Sequence, residues 1–230
     1  MFVAGVLTLA GVLACSRWGY DEPGEALVRN TVRLSLAWYL VALCLRCCLP
    51  PRIWRLSLKG FHVASVAPSD VRNAVDGEPA EPMMPDRVEG GHPSLTSEAC
   101  RRLGQARWSW TWAVVVFLVH LAMAFHFYHG WSHARAFERT REVSGYGEGV
   151  YVSYAFTLLW CLDALWWWLD ARSYGQRPRW MDFLLHTFML FIVFNGTVVY
   201  ETGPIRWAGL AGFTLLASVW YRSRCALVAT

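Results

Sequence analysis

The sequence predicts an all-α integral membrane protein, a bundle of about six transmembrane helices joined by a long, partly disordered cytoplasmic linker. Three observations predict it. Apolar runs of near-membrane length recur along the chain, and its 55% hydrophobic content, 14 Trp and mean hydropathy of +0.28 exceed what a soluble core of 230 residues uses. The basic residues, moreover, are unevenly divided between the segments that alternate across such a bundle.

Taken in order, residues 2–15 form the first apolar run, closed by Arg17 and anchored by Trp18 and Tyr20. With no basic stretch ahead of it, the run reads as an uncleaved first helix, the alternative being a signal peptide cleaved near Cys15. Residues 31–49 form a second span, with Arg33 and Arg46 near its ends, where long side chains reach the headgroups, and Pro50-Pro51 stops it. Residues 1–50 thus hold the first two transmembrane helices. Residues 51–107 carry five prolines between 60 and 106, mixed charge and no sustained apolar period, and read as the cytoplasmic linker. Residues 108–230 then make a four-helix transmembrane core. Its spans are 108–128, 150–169, 183–200 and 205–221, with an outer loop over 129–149 and a tight turn at Gly203-Pro204. In that loop Ser132 is placed to cap a short charged helix in which Glu138 pairs with Arg141.

Orientation follows from charge. With the N-terminus inside, the cytoplasmic segments hold Arg52, Arg55, Lys59, Arg72, Arg87, Arg101, Arg102, Arg107, Arg172, Arg177, Arg179, Arg222 and Arg224. The outer segments hold only Arg17, Arg29, Arg135, Arg139, Arg141 and Arg206. The bias places both termini in the cytoplasm and the protein in the inner (plasma) membrane. Trp108, Trp110, Trp112, Trp166 to Trp168, Trp180 and Trp220 fall at inner span ends, and Trp131 and Trp207 at outer ones, as interfacial anchors do. Trp38 and Trp160 alone sit mid-span. The basic residues are scattered, without the continuous face that nucleic-acid binding requires, so the partners to expect are the lipid bilayer and another membrane protein. The seven cysteines show no disulfide framework; Cys44, Cys47 and Cys48 read as packing residues.

The most unusual local feature is His126, His129 and His133, which share an arc of about 60° on a helix advancing about 100° per residue. Neutral imidazoles on one face at a membrane edge point to a transition metal such as copper, zinc or iron, with His129 and His133 as an (i, i+4) pair. One ion cannot take all three from a straight helix, since His126 and His133 are about 10 Å apart in rise. Either the helix breaks at Gly130 or other ligands join, the best placed being Glu201 at the outer end of the fifth span. The bland alternative is that these rings bond to the 134–149 loop through Glu138 or Glu142. His129-Gly-Trp-Ser-His133 has an HxxxH spacing, but the sequence has no adjacent His pair, which excludes the membrane di-iron desaturases and hydroxylases.

A second group lies deeper. Asp163 in the fourth span and His186 in the fifth come within about a helical turn in depth, as a proton relay or as a structural pair. Asn195 reads as an interhelical contact. Two functions follow from these groups: a membrane protein with a His-bearing extracytoplasmic metal or redox site, or a non-catalytic membrane subunit or scaffold. A small-solute or proton transporter ranks third, because no broken helix or internal repeat supports one.

Overall fold

The computed structural model describes residues 1–18, 23–48 and 94–228, and the regular structure among them is entirely helical. Helix α1 spans Phe2–Trp18 and α2 Pro23–Cys47; α3 spans Ser94–Ala124 and runs into a π-helical turn over Phe125–His129. The short α4 covers His133–Ser144, α5 Gly149–Leu169, α6 Ala171–Gln176 and α7 Arg179–Phe194, the last ending in a second π turn over Asn195–Val199. Helix α8 covers Pro204–Val228. The stretches Cys100–His129, Gly149–Leu169 and Arg179–Val199 are long and apolar enough to cross a membrane, and Phe2–Ser16 is a shorter apolar helix.

Local chemistry sets the boundaries. Proline opens α2 and α8 at the first helical position, where its missing N–H costs nothing. Ser132 caps α4 by accepting from the Arg135 amide at 3.4 Å, and Gly145 closes it in the left-handed region at φ 83°. Glu138 pairs with Arg141 at 2.7 Å along that helix, the local pairing its sequence spacing implies. Asp170 accepts from the Ser173 amide at 2.9 Å, which restarts the chain as α6 directly after α5.

Three sequence expectations are modified. Helix α3 begins at Ser94, so residues 94–107 are its first turns and not linker, steadied by a Glu98–Arg102 pair at 2.5 Å. The rest of the linker expectation, 51–93, lies outside the described residues, as does the Tyr20 anchor. Asn195 bonds back to the Phe191 carbonyl at 2.7 Å within its own helix and not across helices. The largest change concerns tryptophan. Trp110 and Trp167 were expected at the lipid interface, yet they are 0% and 1% exposed, as buried as mid-span Trp160. Trp131, Trp180, Trp207 and Trp220 are exposed, as interfacial rings are.

The core is aromatic. Tyr39 of α2 meets Trp110 of α3 and Trp160 of α5 at ring separations of 5.5 and 5.3 Å, and Phe117 and Phe156 complete the cluster around Trp160. Helices α2 and α3 share the most extensive contact, tied by Ser35 donating to the Ala113 carbonyl at 2.8 Å. Helix α1 lies against both, and Gly5 lets it approach, because a Cβ there would come within 2.1 Å of the Trp112 indole. The outward faces of α5 and α7 carry Leu158, Leu162, Leu165, Phe183, Leu184 and Phe191, all exposed, an apolar surface suited to lipid.

Candidate functional site

A charged network occupies one end of the bundle, where α2, α5, α6 and α7 converge. Arg46, in the last turn of α2, donates to the Tyr174 hydroxyl at 2.7 Å and to Asp182 Oδ1 at 3.1 Å. Arg177, between α6 and α7, forms ion pairs with both Asp163 and Asp182 and donates to the Tyr174 hydroxyl at 3.2 Å. Tyr174 in turn donates to Asp163 Oδ2 at 3.1 Å. The Arg177 and Asp163 side chains are each only 4% exposed, and Arg46 is 12% exposed.

Aromatic rings enclose these charges. The Arg46 guanidinium lies 5.8 Å from the Trp110 ring and 5.5 Å from that of Trp167, Arg177 lies 4.1 Å from the Tyr174 ring, and Tyr174 stacks on Trp167 at 4.8 Å. Among the described residues two guanidiniums face two carboxylates, so these four side chains together carry no net charge. That balance matters, since an uncompensated charge in such surroundings costs several kcal/mol. Burial pushes the Tyr174 phenol up to about 12, against the lowering pull of Arg46, so it stays a donor at neutral pH. Burial opposes the charge on Arg177, but Tyr174 and Asp163 outweigh it and hold the guanidinium above its ordinary value.

Asp163 and His186 both belong to this region but do not bond to each other. Asp163 is taken by Arg177 and Tyr174, whereas His186 stands edge-on to Trp110 at 5.5 Å with Nε2 3.7 Å from Asp182, beyond hydrogen-bond reach. Arg46, Tyr174, Arg177 and Asp182 were not singled out from the sequence as a site. Arg46 reads there as a headgroup-reaching side chain and Arg177 as an orientation charge. The available signal was Asp182 one helical turn before His186, with Arg46 set inside the end of the second span.

His126, His129 and His133 are separated by the chain between them. His126 is exposed with its ring against Phe127 at 4.8 Å, and His129, in the π turn, packs on Phe125 at 5.3 Å. Gly130 at φ 52° and Trp131 at φ 59° then break the helix, and His133 starts α4 with Nδ1 3.0 Å from the Tyr154 hydroxyl. Glu138 and Glu142 are engaged by Arg141 and Arg139, not by the histidines. Glu201 lines a cavity of about 310 Å³ together with Arg29, Arg33 and His120, which bonds the Val28 carbonyl at 2.9 Å. Among the described residues no group of three or more His, Cys, Asp or Glu side chains converges as metal ligands would.

Comparison with family models, curated proteins and solved structures returns no match for this chain.

Proposed function

We propose that the protein is a non-catalytic membrane subunit or scaffold that crosses the inner membrane six times, with both termini in the cytoplasm, and that presents its apolar faces to lipid and to a membrane protein partner. The observation that carries this reading is the pairing of opposite charges in the buried network, as the described residues give it. Arg46 and Arg177 are engaged by Asp163, Asp182 and Tyr174, an arrangement suited to locking four helical segments together. A reactive centre would instead keep a charge or nucleophile open towards a substrate.

Contacts at the ends of the proposed spans support the six-crossing path. That path puts the end of the second span beside the connection between the fourth and fifth, where Arg46 meets Tyr174 and Asp182. At the same level Arg107, before the third span, lies 3.6 Å from the ring of Trp168 at the end of the fourth. On the opposite side Asn30 donates to Ser16 at 3.0 Å, Gly24 abuts Phe127, and His133 meets Tyr154. Each of these pairs belongs to segments assigned to one side by arginine distribution.

The test against a metal or redox role is elemental analysis and absorption of the detergent-purified protein after exposure to copper, zinc and iron. The scaffold reading expects no stoichiometric metal or chromophore and a melting temperature unmoved by these ions. Stoichiometric metal that disappears in the His129→Ala, His133→Ala double variant would overturn it.

A further inference from the structure

Two cavities of about 300 and 310 Å³ adjoin each other between α2, the end of α7 and α8, and both are lined by Arg33, Leu36, Val193, Thr197 and Ile205. They differ in character. The first continues along an apolar wall that includes Leu40, Leu43, Phe213 and Leu216, while the second opens on Arg29, Ser153 and Glu201. Arg29 is engaged by Glu25 at 2.6 Å. Arg33 and Glu201, by contrast, form no ion pair among the described residues, and Arg33 donates only to the Asn30 side chain at 3.2 Å. Of the two exposed arginines at this cavity, Arg33 alone has no acidic partner among the described residues, and it shares the cavity with the half-buried Glu201 beside an apolar channel.

We propose that this cleft binds one phosphatidylethanolamine molecule, its phosphate on Arg33, its ammonium on Glu201 and an acyl chain along the α2–α8 wall. The chemistry selects this headgroup over its neighbours. A guanidinium takes a phosphate through paired N–H donors, and a carboxylate takes a primary ammonium through charge-assisted hydrogen bonds. Phosphatidylcholine offers the phosphate but no N–H for Glu201 to accept. Phosphatidylglycerol offers the phosphate but only uncharged hydroxyls, with no cation to balance the carboxylate. Thr197 and Val193 line both cavities, so the headgroup and chain sites adjoin.

This inference rests on the reading of the chain as membrane-embedded, and alkaline carbonate extraction of native membranes checks that first. Release of the protein would overturn both readings. If it is retained, the detergent-purified protein is incubated with phosphatidylethanolamine, phosphatidylglycerol and phosphatidylcholine of identical chains, and bound lipid is counted by native mass spectrometry. We expect phosphatidylethanolamine to be retained at least several-fold over the other two. Arg33→Gln should lower retention of every phospholipid while Arg33→Lys keeps most of it. Glu201→Gln should reverse the order between phosphatidylethanolamine and phosphatidylglycerol. Gly212→Leu, whose Cβ meets only Leu40 at 3.7 Å, should fill the apolar channel and lower all three. Equal retention of the three lipids, or an unchanged order in Glu201→Gln, would overturn the headgroup assignment and leave the membrane reading standing.

Discussion

Arg46 and Asp182 are 136 positions apart in sequence and 3.1 Å apart in space, and they join the end of α2 to the first turn of α7. Asp182 also takes Arg177, so one carboxylate serves two guanidiniums. Arg46→Gln therefore removes one of two positive charges while both carboxylates remain. We expect a clear fall in melting temperature, and a partial recovery when Asp182→Asn is added, because the remaining Arg177 and Asp163 still balance. Thermal unfolding of the two variants in detergent measures it. Equal or greater loss in the double variant would count against charge balance as the organising requirement.

The docking of α1 depends on the missing side chain at Gly5. A Cβ there would lie 2.1 Å from Trp112, and overpacking of this kind typically costs about 1–3 kcal/mol. Gly5→Leu should lever α1 away while α2 to α8 stay folded. Thr8 and Trp38, which hydrogen-bond at 3.3 Å, provide the readout. Cysteines placed at these two positions should crosslink in the parent protein and fail to do so with Gly5→Leu.

Tyr174 supplies an alkaline signature. Its phenol is raised from 10.0 to about 12, so the folded state favours the protonated form. Its contribution to stability is then fully present below about pH 10 and is lost as pH rises through about 12. The melting temperature of the parent protein should fall over that interval more steeply than that of Tyr174→Phe. Superimposable profiles would remove the phenol from the network.

The parts of this structure that were legible from sequence are those governed by neighbours within a turn or two. The Ser132 cap, the Glu138–Arg141 pair and the Gly203-Pro204 turn are all local events, whereas a break at Gly130 was one of two alternatives. Less visible was which face of each helix meets another. Trp110 and Trp167 lie near span ends, where tryptophan is ordinarily an interfacial ring, and their buried role comes from partners distant in sequence, Tyr39 and Arg46 for Trp110 and Arg46 for Trp167. The histidine arc was lost for a different reason. It assumed a uniform advance of about 100° per residue, and the π turn over Phe125–His129 alters that advance before Gly130 ends the helix. The start of α3 was hidden because residues 94–107 carry charge and Gly104, and its signals were the Glu98–Arg102 spacing and the short stripe of Leu103 and Ala106 that continues to Trp110.

The most direct test of the central claim is a thermodynamic cycle on Asp163 and Arg177, the pair buried most completely. Asp163→Leu or Arg177→Met alone strands a charge and should cost about 3–5 kcal/mol, the usual penalty for breaking a buried ion pair from one side. The double variant leaves Arg46 balanced by Asp182 and should unfold much closer to the parent protein than the sum of the single losses. Purely additive losses, or single variants as stable as the parent, would contradict a bundle held in register by a neutral buried network.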